Sequence, residues 1–169
     1  IVATTTSPSD DPVETLCEAL EVKCFRGEMD DVLGRMIFAA EQIDADIVVR
    51  LTADNPFVGG DLIDLVLQRF FIYYPKYAYA HTLIGSGFPY GLFVESVAAW
   101  ALQEAATSDL PEDREHVTWY VRQRPERFES LTVNSPIQFP DIRITVDTPE
   151  DYRRASPLLK RLHDVNPNF

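Results

Sequence analysis

Short apolar runs alternate with segments of helical periodicity along this sequence, and that alternation constrains the fold more than any other feature. The β-rich runs IVATT (1–5), VKCF (22–25) and DIVVRL (46–51) are each followed by a segment with helix start signals or helical spacing. Strands that alternate with helices predict a largely parallel sheet with helices on both faces. The third run is nearly all apolar, which is typical of a central strand covered on both faces.

Start signals locate the first helix, and spacing locates the others. SDDP (9–12) places an acidic cap and a first-turn proline before Val13, Leu16, Cys17 and Leu20, which recur at helical spacing. The sequence further predicts helices over 32–43, 59–74, 96–106 and 148–163, the last interrupted near Pro157, and a loop followed by a helix over 110–125. It predicts strands over 77–81, 92–95, 127–134 and 142–147. In such a sheet, ligands bind at the carboxyl ends of the strands.

Size and charge narrow the possible partners. The 169 residues predict a single domain over 1–169. Because no apolar run approaches about 18 residues, we predict no transmembrane helix and no membrane partner. The net charge of −12 argues against nucleic acid, because binding phosphates along a backbone requires clustered lysine and arginine. Cys17 and Cys24 lie in apolar patterns, so we predict free thiols in a reducing, cytoplasmic compartment.

Two predicted strands end in an aspartate. Asp54 follows the third strand within RLTADNP (50–56), and Asp147 closes RITVD (143–147). If the strands are near neighbours, both carboxylates face one crevice, where Mg²⁺ takes one or two protein carboxylates plus phosphate oxygens. Ordinary explanations also exist, because Asp54 stands in a turn sequence and Asp147 or Thr148 can cap the helix that follows.

Four segments spread along the chain carry a family resemblance. FRGEMDDVLGR (25–35), RLTADNP (50–56), EHVT (115–118) and VDTPED (146–151) occur in this order, and the combination is specific although each alone is weak. Together they resemble the sugar-nucleotide cytidylyltransferases, particularly the spore-coat polysaccharide biosynthesis branch. The resemblance implies a Rossmann-like α/β three-layer sandwich with a mostly parallel mixed sheet. It also implies transfer of CMP from CTP to an acidic sugar for a cell-surface or spore-coat polysaccharide, Mg²⁺ as cofactor, and a homodimer.

The resemblance also assigns roles to individual residues. It gives Asp54 and Asp147 to the metal and, with Arg50, to catalysis. It gives the nucleotide pocket to Thr4, Thr5, Thr6, Gly27, Asp31 and Arg35, and the sugar site to Tyr90, Gly91, Glu95, Arg114, Glu115 and His116. Structural alternatives are a helix cap for Asp31, a solvated helix face for Arg35 and a hydrogen-bonded histidine at position 116. Arg50 lies within a strand, so its charge needs a carboxylate, a phosphate or an exit to solvent.

Two departures from the family pattern bear on function. Phe93 stands where many relatives carry an acidic residue, which alters the sugar contacts. The basic loop R-x-x-S-x-R-x-x-x-K, which wraps the triphosphate in these enzymes, has no counterpart in the printed sequence, so we expect a missing first βα unit and weak CTP binding. A nucleotide-sugar-dependent glycosyltransferase is a second candidate, although DAD (44–46) precedes its strand, and a catalytically inactive binding or assembly module is a third.

Overall fold

A computed structural model of the chain describes residues 1–139 and 141–167. Within them the strands are β1 (Val2–Thr5), β2 (Cys24–Gly27), β3 (Ile47–Arg50), β4 (Tyr77–His81), β5 (Glu95–Ala98) and β6 (Glu129–Thr132). The helices are α1 (Asp11–Ala19), α2 (Val32–Glu41), α3 (Gly60–Tyr73), α4 (Ala99–Ala105), α5 (Pro111–Glu115), α6 (Trp119–Arg122) and α7 (Pro149–Val165). The predicted alternation of strands and helices is confirmed.

The chain divides into two compact units, which are described separately. The first contains Ile1–Val48 and Val97–Phe128, and the second contains Val49–Ser96 and the described part of Glu129–Phe169. Two sheets are present in the described residues, one with the order β1-β2 and one with the order β3-β5-β4-β6. The β1–β2 and β4–β6 ladders are both parallel, as crossover connections through helices require.

In the first unit, β1 and β2 pair residue by residue, from Val2 opposite Cys24 to Thr5 opposite Gly27. Helix α2 packs against both strands and against α4 and α5, with Leu33 fully buried. The rings of Phe25 on β2 and Phe38 on α2 stack with centroids 4.1 Å apart. This packing fixes the loop between β2 and α2, which carries Asp31 and lies between Gly27 on β2 and Arg35 on α2.

In the second unit, α3 packs against β4 and buries Val66 and Phe70 completely. The next strand in the sheet order, β5, is buried along its whole length. β3 is the terminal strand of that order among the described residues and is only half-buried, so the prediction that it is central was wrong. The sheet places β3 beside β5, which comes later in the chain than β4.

Three further predictions differ from the structure. The strand expected over 92–95 begins only at Glu95. The strand expected over 142–147 is an extended segment with one parallel bridge, between Tyr90 and Arg143. Helix α7 continues through Pro157, which is exposed, so water can solvate the carbonyl that loses its helical partner.

Candidate active site

A buried carboxylate in the second unit bonds side chains from the strands on either side of its own. Glu95, at the start of β5, is 3% exposed. Its Oε1 accepts a hydrogen bond from Arg50 Nη1 at the end of β3, at 2.5 Å, and its Oε2 accepts one from the hydroxyl of Tyr79 on β4. Both oxygens of Glu95 therefore bond protein groups. Of the three compensating groups that the sequence left open for Arg50, the structure supplies a carboxylate.

The Arg50–Glu95 pair opens onto a cavity of about 110 Å³. Residues that line it include Arg50, Asp54, Asn55, Tyr90, Phe93 and Glu95. Asp54 lies in a turn closed by the bond from the Asn55 N–H to the Thr52 carbonyl, so the predicted turn is present. One carboxylate oxygen of Asp54, Oδ1, is buried and has no hydrogen-bond partner among the described residues. A buried acceptor without a partner is costly, and a ligand or cation would remove that cost.

The segment that carries Asp147 pairs with this turn through its backbone. The N–H of Val146 donates to the carbonyl of Asp54 at 2.8 Å, and the N–H of Ile144 donates to the carbonyl of Tyr90 at 2.8 Å. Gly91 allows the close approach, because it has a φ of +112° and an added Cβ would lie 2.9 Å from the backbone N of Thr145. The predicted site residue Gly91 therefore has a backbone role.

The carboxylate of Asp147 bonds within its own segment. Its Oδ2 accepts from the Thr145 hydroxyl at 2.5 Å and from Arg143 Nη2 at 2.6 Å. These two contacts, the hydroxyl first and the guanidinium second, lower the pKa of Asp147, so it is anionic at neutral pH. Thr148, in a capping box with Asp151, caps α7. Of the two cap residues that the sequence left open, the structure uses Thr148 and leaves Asp147 for another role.

The predicted nucleotide-binding threonines lie in the first unit, at the end of β1. The hydroxyls of Thr4 and Thr5 donate to the same oxygen of Asp10, at 2.7 and 2.6 Å. These bonds, with the N–H of Thr5, hold the pKa of Asp10 well below its usual range. Thr6 is exposed, and its N–H donates to the carbonyl of Gly27. The threonines therefore fix the turn that follows β1.

Arg35, Gly27 and Asp31 organise the loop between β2 and α2. Arg35 is 8% exposed and donates to the carbonyls of Glu28 and Met29, so a solvated helix face is excluded for it. A Cβ at Gly27 would lie 2.9 Å from Arg35 Cγ, which explains the glycine. Asp31 caps α2 through the N–H of Gly34 at 2.9 Å, as its structural alternative predicted.

Arg114 joins this loop from α5, whereas the next two residues in the chain face solvent. Arg114 Nη2 lies 2.5 Å from Asp31 Oδ2, so one predicted sugar-site residue pairs with one predicted nucleotide-site residue inside the first unit. Glu115 and His116 are exposed. The His116 ring meets the Trp119 ring edge to face at 6.3 Å. No hydrogen bond to the His116 ring occurs in the described part of the chain, so the structure gives it no bonding role.

The structure adds site residues that the sequence reasoning missed. Tyr79 holds Glu95 from β4, which the sequence predicted only as a strand, with no role for this residue. Arg143 and Thr145 were findable, because residues at i, i+2 and i+4 of an extended segment lie on one side, with Asp147 as the third member. Across residues 1–139 and 141–167, no three of His, Cys, Asp and Glu lie together as a metal-binding cluster. No helix in that part is long and apolar enough to cross a membrane.

Comparison with known proteins decides the family. A model of the cytidylyltransferase family matches residues 1–167, which is nearly the whole chain. The chain belongs to the cytidylyltransferase family. This cytidylyltransferase is 32% identical over 165 residues to the spore coat polysaccharide biosynthesis protein SpsF of Bacillus subtilis, covering 95% of this chain and 67% of that protein. It is also 32% identical over 169 residues to the uncharacterized protein MJ1063 of Methanocaldococcus jannaschii, covering 98% and 68%.

Solved structures show the same fold. A cytidylyltransferase from Leptospira borgpetersenii superposes with a TM-score of 0.84 at 26% identity, covering 96% of this chain and 74% of that one. A CMP:2-keto-3-deoxy-manno-octonic acid synthetase complexed with CTP superposes with a TM-score of 0.65 at 16% identity, covering 94% and 80%. The prediction of a Rossmann-like α/β fold with a mostly parallel mixed sheet is confirmed. Membership of the cytidylyltransferase family indicates that the chain is a nucleotidyltransferase.

Proposed function

We propose that this cytidylyltransferase transfers CMP from CTP to an acidic sugar, and that the product serves the synthesis of a surface polysaccharide. The observation that carries the proposal is the cavity lined by both Arg50 and Asp54, where Asp54 Oδ1 is buried and has no partner among the described residues. A site that offers one fixed cation and one carboxylate with free lone pairs suits an anionic substrate together with a divalent cation. The names of SpsF and of the octonic acid synthetase support a polysaccharide and an acidic sugar.

The donor set fits Mg²⁺. Asp54 Oδ1 is an oxygen ligand with no protein partner in the described residues, and Asp147 is held as an anion by Thr145 and Arg143. Mg²⁺ prefers oxygen ligands and binds through one or two carboxylates together with phosphate. We propose that Asp54 and Asp147 hold it. When bound, the metal would neutralise charge on the α-phosphate and lower the pKa of the attacking hydroxyl.

Arg50 would orient the reacting groups without exchanging a proton. Glu95 fixes Nη1 of its guanidinium, and a guanidinium offers further N–H donors in the same plane. Such donors suit a carboxylate or phosphate oxygen in the cavity. Because arginine stays protonated at all physiological pH values, its role is to bind and align. In the first unit, the turn held by Thr4 and Thr5 and the loop held by Arg35 would bind the nucleotide.

Pyrophosphate release tests the proposed function. With CTP, Mg²⁺ and a panel of sugar acids, the full-length enzyme should release pyrophosphate and form a CMP-sugar. Asp54→Asn and Asp147→Asn should abolish Mg²⁺-dependent turnover and weaken Mn²⁺ binding measured by electron paramagnetic resonance, without lowering the melting temperature by more than a few degrees. Asp64→Asn, an exposed change on α3, is the matched control. Turnover near the wild-type rate in either site variant refutes the metal assignment for that residue.

Two further features are proposals for the same protein. A glycosyltransferase would consume a nucleotide-sugar and release no pyrophosphate, so formation of pyrophosphate and a CMP-sugar from CTP would exclude it. We also propose a homodimer, on the family resemblance alone. Light scattering coupled to gel filtration should give twice the mass of one chain, and a mass of one chain at micromolar concentration would contradict the dimer.

A further inference from the structure

A groove of about 500 Å³ lies between helix α3 and strand β6 and shares no residue with the cavity of Arg50 and Asp54. We call it the edge groove. It is lined by Leu65, Arg69 and Tyr73 on α3 and by residues 131–134 and Pro136 on and after β6. All of them belong to the second unit. The proposed transfer of CMP uses none of these residues, so the groove has no role in that chemistry.

One wall of the groove is a free strand edge. In the described sheet order β6 is terminal and pairs with β4 alone, and this pairing continues past β6, because the N–H of Val133 donates to the carbonyl of His81 at 2.9 Å. Since successive residues of a strand direct their backbone groups to opposite sides, those of Thr132 and Asn134 point away from β4. Both residues are exposed, and no backbone partner reaches these groups from residues 1–139 and 141–167. Such an edge can accept a further strand.

The other wall is a regular stripe of side chains on α3. Leu65, Arg69 and Tyr73 occur at i, i+4 and i+8, so they lie on one side of the helix. They are spaced by about 6 Å along the helix axis, and alternate residues of an extended strand are spaced by about 6.5 Å. A strand added to β6 would therefore present every second side chain to one residue of the stripe in turn.

The middle residue of the stripe carries an uncompensated charge. Arg69 is exposed, and its guanidinium has neither an ion pair nor a hydrogen bond within the part of the chain that the structure describes. Lys76, by contrast, pairs with Glu129 of β6 at 3.1 Å. A carboxylate in the groove would supply the partner that Arg69 lacks, in a charge-assisted hydrogen bond. A second copy of the chain fits less well, because joining the groove to itself about a two-fold axis brings two Arg69 groups together.

We propose that the edge groove binds an extended acidic peptide, which adds to β6 as a further strand and places one carboxylate on Arg69. The sequence pattern that fits the stripe is apolar, any, acidic, any, apolar, with the apolar side chains against Leu65 and Tyr73. Backbone bonds to Thr132 and Asn134 supply affinity, and the stripe supplies selectivity. Because the pattern is symmetric, the peptide fits in either direction. The groove then gives this nucleotidyltransferase a partner-binding function separate from its chemistry.

An NMR titration of the full-length, ¹⁵N-labelled protein tests the proposal. The probe is the peptide Thr-Val-Thr-Glu-Thr-Val-Thr, capped at both ends so that its glutamate is the only carboxylate. Replacing that glutamate by glutamine should weaken binding by about 10-fold or more, because a hydrogen bond between charged groups is lost. Arg69→Gln should weaken binding of the glutamate peptide equally. Arg161→Gln, an exposed change on α7 outside the groove, is the matched control and should bind as the wild-type protein does.

Charge reversal and amide exchange add readouts that a general loss of stability would not produce. Arg69→Glu should reject the glutamate peptide and bind the same peptide with lysine in its place. Bound peptide should slow exchange of the Thr132 and Asn134 amide protons and leave that of Val133, already bonded to His81, almost unchanged. Equal affinity for the glutamate and glutamine peptides, an unaffected Arg69→Gln variant, or no binding would overturn the proposal. A dimer that protects both edge amides without peptide would also overturn it, because a second copy then occupies the edge.

Discussion

Removing one hydroxyl, by Tyr79→Phe, should damage both the stability of the protein and the alignment of Arg50. Tyr79 is fully buried on β4 and donates to Oε2 of Glu95, which is itself 3% exposed. The substitution keeps the ring and its packing and deletes only the donor. A hydrogen bond to a charged group contributes roughly 1.5 to 3 kcal/mol, and the low exposure of Glu95 places the expected loss near 2 kcal/mol.

Urea unfolding followed by circular dichroism measures this loss. For a chain of this length, about 2 kcal/mol corresponds to a fall in melting temperature of roughly 4 to 8 °C. The control is Tyr77→Phe on the same strand, because the Tyr77 ring stacks on Tyr73 but its hydroxyl forms no hydrogen bond among the described residues. We expect that variant to lie within about 0.5 kcal/mol of the wild-type protein.

Kinetics distinguish a positioning role from a merely structural one. If Glu95 and Tyr79 hold the guanidinium of Arg50 in place, Tyr79→Phe should raise the KM for the sugar or lower kcat at temperatures where the protein is fully folded. Arg50→Lys should produce the same kinetic change, because lysine keeps the charge but loses the planar arrangement of donors. A Tyr79→Phe enzyme with wild-type stability and kinetics would refute the reasoning, and so would an equal loss in Tyr77→Phe.

Three other substitutions or conditions test separate parts of the structure. Gly91→Ala should cost about 2 kcal/mol or more in urea unfolding, because of its positive φ and its approach to Thr145, whereas Gly60→Ala meets no neighbour within 4 Å and should be neutral or slightly stabilising. Burial, and after it the neighbouring Cys17 thiol, raises the pKa of Cys24. Because less thiolate is then present, Cys24 should react slowly with a disulfide reagent at pH 8, and fast reaction would contradict this. The pKa of Asp147 is lowered in the folded protein, so its contribution to stability is present above its unfolded pKa and is lost as pH falls through the lower folded pKa. Thr145→Val should raise the folded pKa of Asp147 in an NMR titration.

The sequence predicted most elements because their patterns are local, and it failed where a side chain replaces the backbone ladder. LFVE (92–95) has the composition of a strand, but Thr82 interrupts the pairing before Glu95. The Thr82 hydroxyl donates to the carbonyl of Leu92 and accepts from the N–H of Val94. No periodicity in the sequence indicates that the Thr82 side chain takes these backbone partners. The segment that ends at Asp147 likewise makes one bridge instead of a ladder.

The candidate site was predictable to the extent that single residues have requirements. Arg50 within a strand requires a compensating group, and that requirement could be read from the sequence. Its partner could not, because Glu95 becomes a neighbour only when β5 inserts between β3 and β4 in the sheet order. For Asp31, the helix cap could be predicted from the sequence, whereas the ion pair with Arg114 could not, because Arg114 is far away along the chain.

The hydrogen bond from the Val146 N–H to the Asp54 carbonyl makes local opening of the site measurable by amide exchange. These residues are far apart in sequence, so their pairing forms only after the intervening strands have assembled. The amide proton of Val146 therefore reports on local opening of the site. Its exchange with solvent deuterium occurs only when the Asp54 carbonyl is released, and its protection factor gives the free energy of that local opening. Bound substrate that needs the closed turn should slow this exchange in proportion to its occupancy.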